Sequence, residues 1–313
     1  METTILGRTG LRVSVIGLGC GGHSRLGLNQ GKTEAEAIRL VRRALDLGIT
    51  LIDTAEAYRT ETVVGKALEG WAREQVVLST KVSPRRQNTL STPEQIRAQA
   101  EGCLLRLQTD VIDILHLHGV ARDDYPYVAG ELYPALDRMR QEGKIRFLGI
   151  TEAFASDTQH RTLTRALEDD CWDVMMVGFN ILNQSAREKV FAQTRPRGIG
   201  VLGMFAVRRA LSRPEALRDL MQQLASEQKV DPARYDPADP LGFLIGEGKA
   251  KSLPDAAYRF CRYEPGMDVV LSGTGDPQHL EANVASLLAP PLPHEDMTRL
   301  QTLFRDVDTV SGE

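Results

Sequence analysis

Four side chains with different acid–base chemistry stand where apolar runs of this sequence end. Asp53 follows Ile-Thr-Leu-Ile with Tyr58 just beyond it, Lys81 follows Val-Val-Leu-Ser-Thr, and His118 follows Ile-Asp-Ile-Leu-His-Leu. Short apolar runs of this kind are typical of buried strands, and the carboxyl ends of parallel barrel strands meet at one mouth. The four groups are therefore predicted to share one site.

Asp53, Tyr58 and Lys81 would together form a tuned acid–base group. A phenol has a pKa of about 10, which makes it a poor proton shuttle at neutral pH, but a nearby ammonium lowers that pKa by stabilising the phenolate. A buried lysine needs a counter-charge, which Asp53 could supply, and His118 could orient a substrate oxygen or share the proton. The residue types alone leave open an ordinary Asp53–Lys81 ion pair, with Tyr58 as a rim residue.

The composition restricts the kinds of partner. The chain has 313 residues, of which 42% are apolar, and a formal net charge of −4 without a basic block, so nucleic acid is not an expected partner. The sequence shows neither a signal-like start nor an apolar run long enough to cross a bilayer. Its four cysteines lie far apart and form no C-x-x-C pair. We expect a cytoplasmic protein with reduced thiols, no membrane partner and a small-molecule substrate.

Strand-like and helix-like segments alternate along the chain. Apolar runs predict strands at 13–18, 49–52, 76–80, 112–117, 145–150, 174–179, 199–203 and 269–272. Apolar spacing and start signals predict helices at 33–47, 60–71, 91–107, 132–141, 157–168, 185–193, 214–227 and 253–263, with two more after the last strand. Eight strand-then-helix units predict an α/β protein of the (β/α)8 TIM barrel class. No linker divides the chain, so we expect one domain over 1–313, with a polar loop insertion near 231–251.

The glycines after the first predicted strand have two interpretations. Gly17-Leu-Gly19-Cys-Gly21-Gly22 contains the G-x-G-x-x-G pattern of a Rossmann dinucleotide site. In a Rossmann unit the helix begins at these glycines, but here residues 23–31 intervene, and Asp53 comes too late to bind a ribose. A barrel-mouth loop, in which Gly19 and its neighbours let the backbone approach a ligand, explains the pattern better.

Six motifs, in order along nearly the whole chain, resemble signatures of the aldo-keto reductase family. They are Asp53-Thr-Ala-Glu-Ala-Tyr58 with Glu61 and Gly65, Leu78-Ser-Thr-Lys81, Asp113-Ile-Leu-His-Leu-His118, Gly143-Lys-Ile-Arg-Phe-Leu-Gly-Ile150, Phe179-Asn180-Ile-Leu-Asn183, and Leu271-Ser-Gly-Thr274 with Pro277 and Asn283. Any one of them would be a weak indication, whereas the ordered set is specific. The resemblance implies a barrel that binds a nicotinamide cofactor without a Rossmann fold and transfers hydride between the nicotinamide and a carbonyl carbon.

The resemblance also implies a role for each site residue. Tyr58 gives a proton to the carbonyl oxygen during reduction, Lys81 held by Asp53 lowers the pKa of Tyr58, and His118 positions the carbonyl. The candidate cofactor-binding residues are Gly19, Thr151, Asn180, Met204, Ser272, Gly273, Thr274, His279 and Asn283. By resemblance, Thr151 and Asn180 hold the carboxamide, and the segment 272–283 grips the adenosine phosphates.

Three positions depart from the family pattern near the predicted site. His116 forms an H-x-H pair with His118, which places both imidazoles on one face of a strand and binds metal in some barrel hydrolases. We expect no metal here and a hydrogen-bonded core histidine at position 116. Glu152 stands where an asparagine is common, which weakens the predicted carboxamide grip. Met204 stands where many members stack an aromatic ring on the nicotinamide, and a core role for it is an open alternative.

The preferred coenzyme is the least determined part of the site. Many members that prefer NADP place lysine or arginine just after the last strand, where this chain has Gly-Thr-Gly-Asp-Pro-Gln-His from Gly273 to His279. Asp276 would repel a ribose phosphate, and only His279 sits near the usual arginine position. NADP(H) is expected from the resemblance, with NAD(H) or dual use as a rival.

The function predicted from these residues is the reduction of small aldehydes, ketones or sugars with a nicotinamide coenzyme. An NAD(P)-dependent sugar (aldose) dehydrogenase working in the oxidative direction uses the same residues. A cofactor-binding regulatory subunit is a third class, against which the complete set Asp53, Tyr58, Lys81 and His118 argues. The mouth loops carry no readable motif, so the sequence identifies neither the substrate nor the oligomeric state.

Overall fold

Eight strands close into a parallel barrel in the computed structural model, which describes all 313 residues. The four other strands of the chain form two separate hairpins, β1 with β2 and β6 with β7. In chain order the strands are β1 (Thr3–Ile5), β2 (Arg12–Ser14), β3 (Ile16–Gly19), β4 (Leu51–Asp53), β5 (Val77–Val82), β6 (Arg85–Arg86), β7 (Thr89–Leu90), β8 (Ile112–Val120), β9 (Ile145–Glu152), β10 (Val174–Gly178), β11 (Gly200–Met204) and β12 (Val269–Ser272). The barrel order is β3, β4, β5, β8, β9, β10, β11 and β12, and β12 pairs with β3 to close it. The predicted (β/α)8 fold is confirmed.

Helices connect successive barrel strands. They are α1 (Glu34–Asp46), α2 (Glu61–Ala67), α3 (Pro93–Leu107), α4 (Tyr125–Tyr127), α5 (Tyr133–Gln141), α6 (Arg161–Ala166), α7 (Ala192–Arg197), α8 (Arg209–Ser212), α9 (Pro214–Ser226), α10 (Leu253–Arg262), α11 (Pro277–Leu287) and α12 (His294–Leu303), with π-helical turns at Val128–Leu132 and Arg187–Phe191. Capping boxes begin α1 and α3, where Thr33 and Thr92 each exchange hydrogen bonds with the residue three positions on. None of the helices has the length and hydropathy needed to cross a lipid bilayer.

The N-terminal hairpin packs against the amino end of the barrel. Leu6, Leu11 and Val13 belong to one buried cluster with inward-facing residues that begin barrel strands, such as Leu51 of β4. The prediction of a single strand over 13–18 was therefore wrong, because these residues divide between β2, which pairs antiparallel with β1, and β3 in the barrel. Both strands are buried, so the apolar run shows no break at Val15.

Three helices differ from their predicted bounds. The helix predicted at 60–71 spans only Glu61–Ala67 and is followed by a turn with Gly70 at a φ of +86°. The helix predicted at 157–168 spans only Arg161–Ala166, since His160 adopts a left-handed φ of +58° and the Asp157 carboxylate accepts from the Arg161 and Thr162 amides. The helix predicted at 185–193 is a π-helical turn followed by α7, which ends at Gly198 with a φ of +65°.

The polar segment 231–251 packs against the rest of the chain. It contains two short 3-10 turns, and the side chains of Tyr235 and Leu244 are buried. The Lys249 Nζ donates to the Asp296 Oδ1 over 3.0 Å. We propose that this segment is a loop of a single domain over 1–313, because one cluster of 75 buried apolar residues extends from β3 to beyond α12.

Asp113 of β8 joins three neighbouring barrel strands. Its carboxylate accepts from the Leu78 amide of β5 over 2.9 Å, from Arg73 over 2.7 Å and from Arg146 of β9 over 2.7 Å. The Asp113 side chain is 4% exposed. Hydrogen bonds between ionised groups are stronger than neutral ones, so this carboxylate stabilises the register that places the site residues of β5 and β8 side by side.

We expect Asp113→Asn to lower the free energy of unfolding by about 2 kcal/mol, because the amide removes the charge from one buried and two partly buried hydrogen bonds. Urea denaturation of the purified protein measures the change. Asp110→Asn, at an exposed position of the preceding turn, is the control and should stay within about 0.5 kcal/mol of the wild type. Equal stabilities of the two variants would contradict the role given to Asp113.

Candidate active site

A buried ion pair between Lys81 and Asp53 lies inside the barrel, at the carboxyl ends of β5 and β4. The Lys81 Nζ donates to the Asp53 Oδ2 over 2.6 Å and to the Thr54 carbonyl over 2.8 Å, and the Ser79 hydroxyl donates to the other carboxylate oxygen over 2.7 Å. Burial alone would lower the pKa of Lys81, but Asp53 and Tyr58 outweigh it and raise that pKa. Lys81 is thus held as an ammonium.

Tyr58 and His118 face each other beside this ion pair. The Tyr58 hydroxyl lies 3.4 Å from the His118 Nε2, and the two rings meet edge to face with their centroids 5.4 Å apart. The Lys81 Nζ lies 4.9 Å from the centre of the Tyr58 ring. Tyr58 ends the short 3-10 turn Glu56–Tyr58 directly after β4. The structure therefore brings the four predicted residues into one group at the barrel mouth.

Burial, which the sequence prediction did not include, has the largest effect on the pKa of Tyr58. Burial raises the pKa of Tyr58 above its usual value, and the lowering effect of the Lys81 ammonium only partly offsets that rise. Lys81 thus lowers the pKa of Tyr58 as predicted, but burial has the larger effect and the net shift is upward. At neutral pH the hydroxyl carries its proton and can donate it.

His118 is a neutral imidazole in this environment. Burial, together with the charge of Lys81, lowers the pKa of His118 to about 3. A neutral imidazole carries one donor and one acceptor nitrogen. Such a group can hold a polar oxygen by a hydrogen bond, as predicted for a carbonyl, without delivering a charge of its own.

His116 is a fully buried side chain of the barrel interior with no hydrogen-bond partner on either ring nitrogen. The expectation of a hydrogen-bonded core histidine is thus wrong. The imidazole fits because the facing residue is Gly149, where a Cβ would lie 2.3 Å from the His116 Nδ1. Burial lowers the pKa of His116 well below its usual value. No group of three or more His, Cys, Asp or Glu side chains is gathered for a metal ion.

The glycines after β3 make room for side chains and backbone at the site. A Cβ on Gly21 would lie 2.5 Å from the Tyr58 ring, so the absence of a side chain there lets the tyrosine reach its place. A Cβ on Gly273 would lie 2.7 Å from the Gly19 carbonyl oxygen, which shows how closely the ends of β3 and β12 approach. Gly19 and Gly273, both predicted cofactor residues, thus lie against each other at the mouth.

The residues predicted to hold a carboxamide are occupied by the chain itself. The Thr151 hydroxyl accepts from the Gly119 amide over 2.7 Å. The Asn180 amide donates to the carbonyls of Phe205, over 3.2 Å, and Ser311, over 3.1 Å. Met204 is partly buried and packs against the inner cluster of the barrel, which favours the core role for it.

Glu152 points away from the predicted carboxamide site. Its two oxygens lie 3.0 and 2.9 Å from the His160 Nδ1, and one of them also accepts from the Gly178 amide over 2.8 Å. Glu152 and His160 are both buried, and the Phe154 ring stacks on the imidazole at 5.4 Å between centroids. Sequence reasoning missed His160 as the partner, because no motif links two residues on opposite sides of an irregular turn.

The segment after β12 combines internal hydrogen bonds with an acidic helix cap. The Ser272 hydroxyl lies 3.1 Å from the Tyr258 hydroxyl and accepts from Asn283 over 3.0 Å. The Thr274 hydroxyl accepts from the Asp276 amide over 3.1 Å. The Asp276 carboxylate in turn caps α11 by accepting from the Gln278 amide. Gly273 is left exposed at the mouth.

The charges around Asp276 were only partly visible in the sequence. The hydrogen bond from the Gln278 amide lowers the pKa of Asp276, and the charges of His279 and Lys32 act in the same direction. His279 is exposed in the first turn of α11. Lys32 comes from the loop after β3, more than two hundred residues earlier, and is a cation near this helix start that the local sequence pattern did not predict.

We expect Gly21→Ala to reduce turnover of carbonyl substrates by about tenfold or more, because the added methyl displaces the Tyr58 ring and a small misplacement of a catalytic group costs about that much. Steady-state kinetics, with circular dichroism to verify the fold, measures the effect. Gly130→Ala is the control, since no atom lies within 4 Å of its built Cβ. Wild-type turnover in Gly21→Ala would show that this glycine does not position Tyr58.

Known proteins share both the sequence and the fold of this chain. A sequence model described as the aldo/keto reductase family matches residues 16–305. The L-galactose dehydrogenase of Arabidopsis thaliana is 27% identical over 99% of this chain and 92% of its own length. The holo form of an aldo-keto reductase from Bacillus halodurans superposes with a TM-score of 0.73 at 26% identity, over 96% of each chain. An aldo/keto reductase from Klebsiella pneumoniae, in complex with NADP and acetate, shares the fold with a TM-score of 0.67 at 21% identity over 97% of this chain and 96% of its own.

The family match over residues 16–305 includes all eight barrel strands. The chain therefore belongs to the aldo/keto reductase family and is an NAD(P)H-dependent oxidoreductase.

Proposed function

We propose that this enzyme reduces the carbonyl group of small aldehydes, ketones or sugars, with Tyr58 as the proton donor. The observation that carries the proposal is the protonated Tyr58 hydroxyl, 3.4 Å from a neutral His118 and backed by the buried Lys81–Asp53 pair. Proton donation to a carbonyl oxygen needs a polarising group behind the donor and a second group that orients the oxygen. Tyr58 is the candidate donor, Lys81 the candidate polarising group, and His118 the candidate group that orients the oxygen.

The residues around the mouth fit a nicotinamide coenzyme. Gly19 and Gly273 lie close together at the mouth without side chains, and Gly273 is exposed, so a ligand can approach the backbone there. When bound, the coenzyme supplies or accepts the hydride. The chain supplies the remaining chemistry: Tyr58 gives the proton, His118 holds the oxygen by a hydrogen bond, and the charge of Lys81 stabilises the phenolate that the donated proton leaves behind.

The polarity of a cleft beside the Glu56–Tyr58 turn, which Tyr58 itself does not line, favours a polyhydroxylated substrate. A cleft of about 720 Å³ adjoins the tyrosine turn, and only two of its nine lining residues are apolar: Glu56, Ala57, Ser83, Arg85, Arg86, Gln87, Thr89, Leu90 and Gln95. Arg85 pairs with Asp124 and Arg86 with Glu56, so the walls are rich in hydrogen-bonding groups without a large excess of charge. A sugar suits such walls better than an apolar aldehyde.

Oxidation of a sugar is the second candidate, because one relative is named L-galactose dehydrogenase. The same residues serve both directions, since a proton donor in one direction is the proton acceptor in the other. The raised pKa of Tyr58 favours reduction at neutral pH, because oxidation requires the phenolate. Oxidation should therefore gain rate as the pH rises towards the pKa of Tyr58, whereas reduction loses it.

We expect Tyr58→Phe to bind the coenzyme almost normally and to lose at least about 100-fold in turnover, the usual contribution of general acid catalysis. A panel of aldehydes, ketones and aldoses, assayed in both directions between neutral and alkaline pH, measures the loss. In the wild type, reduction should fall at alkaline pH as Tyr58 loses its proton. Tyr263→Phe, whose hydroxyl donates to the Ala289 carbonyl, is the control and should keep wild-type rates. A fully active Tyr58→Phe would exclude this residue as the acid.

We propose NADP(H) as the preferred coenzyme, with a preference over NAD(H) below about 100-fold, because the carboxylate of Asp276 stands where a ribose phosphate would bind. Asp276→Asn keeps the helix cap and should raise the ratio of NADH to NADPH dissociation constants about threefold to tenfold. Asp231→Asn, which caps another helical turn, is the control. An unchanged ratio, or a wild-type preference above 100-fold, would contradict this account.

A further inference from the structure

The last residues of the chain are held at the barrel mouth by hydrogen bonds to their backbone. Asn183 donates to the Val310 carbonyl over 3.0 Å, Asn180 to the Ser311 carbonyl over 3.1 Å, and the Ala210 amide to the Gly312 carbonyl over 2.9 Å. The donors follow β10 and β11, at their carboxyl ends. The segment 310–313 therefore lies over the same end of the barrel as Tyr58 and His118.

The Glu313 carboxylate bridges the two loops on either side of β12. One oxygen lies 2.9 Å from the His23 Nε2, in the loop after β3, and the other pairs with Arg208, just after β11. In the barrel, β12 lies between β11 and β3. The carboxylate thus lies above the carboxyl end of β12, where the segment 272–283 begins that is predicted to grip the coenzyme phosphates.

Arg208 is suited to bind an anion other than Glu313. Its side chain is only 14% exposed, its Nε is buried without a partner, and Glu313 is the one carboxylate paired with it. The guanidinium lies 4.1 Å from the centre of the Phe205 ring, which holds it in place. A guanidinium with an unused donor binds phosphate oxygens well, because its planar fork offers paired donors.

We propose that Arg208 binds a phosphate group of the nicotinamide coenzyme and that Glu313 is an internal competitor, which the coenzyme displaces. This inference rests on the proposed function. The competition has a second point, because the Ser311 carbonyl occupies the Asn180 amide that is predicted to hold the carboxamide. Release of the segment 310–313 frees Arg208 and Asn180 together. The measured dissociation constant for coenzyme therefore equals the intrinsic dissociation constant divided by the fraction of molecules in which the segment is released.

Dissociation constants of NADPH and NADH, measured by calorimetry without substrate, test the proposal. Glu313→Gln should tighten binding about threefold to tenfold, because it removes the charge that competes for Arg208. Arg208→Met should weaken binding about tenfold or more, and Arg208→Lys should retain part of the affinity. Glu142→Gln is the matched control: this carboxylate is 41% exposed against 43% for Glu313, also pairs with an arginine, and precedes β9 at the opposite end of the barrel.

Hydrogen exchange supplies a second readout. The Ala210 amide, which donates to the Gly312 carbonyl, should exchange faster in the presence of NADPH, since the segment 310–313 is displaced. Weaker binding of both coenzymes to Arg208→Met supports a contact with the diphosphate, and a loss for NADPH alone supports a contact with the ribose phosphate.

Glu313 is exposed, so the Glu313→Gln variant should fold. Unchanged coenzyme binding in this variant overturns the proposal, and so does unchanged binding in Arg208→Met. Slower exchange in the segment 310–313 with coenzyme also overturns it, because the segment would then close over the coenzyme instead of leaving. A wild-type protein that binds neither NADPH nor NADH would instead contradict the proposed function, which separates the two failures.

Discussion

The buried ion pair between Lys81 and Asp53 is the interaction on which the rest of the site depends. Two charges inside a barrel lose their hydration, and the loss is offset only where hydrogen bonds satisfy both groups. Here the Ser79 hydroxyl and the Thr54 carbonyl do so. The arrangement requires β4 and β5 to be neighbours with Asp53 opposite Ser79. Strand register is therefore a condition of the chemistry, and the hydrogen bonds of Asp113 help to maintain it between β5, β8 and β9.

Exclusion of water from the barrel interior determines the protonation states around this pair. The same burial that lowers the pKa of His118 to about 3 raises the pKa of Tyr58, because both the imidazolium and the phenolate would be poorly solvated there. The site thus presents a neutral imidazole and a neutral phenol beside a fixed ammonium. His116 extends this neutral, polar interior one layer deeper, in a space that Gly149 leaves free.

Several charged groups around the barrel mouth are paired within the chain. Glu152 pairs with His160 instead of facing a ligand, and Asp276 places a carboxylate at the start of α11. Arg208 and Glu313 add an ion pair between loops that the barrel brings together from opposite ends of the chain. We propose that coenzyme affinity and selectivity are set at these positions, while proton transfer depends on the interior.

The sequence by itself determined the features that depend on local periodicity. Apolar runs and polar residues at their ends were enough to predict the barrel, the four central residues and the helices that begin near Thr33 and Thr92, because each is encoded within one strand or one turn. Tertiary structure decided what depends on contacts between distant segments and on solvent exclusion. The division of the run 13–18 into two strands, the Glu152–His160 pair, Lys32 near Asp276 and the direction of the Tyr58 pKa shift are of this kind. No local pattern records which groups become neighbours after folding or how much water remains around them.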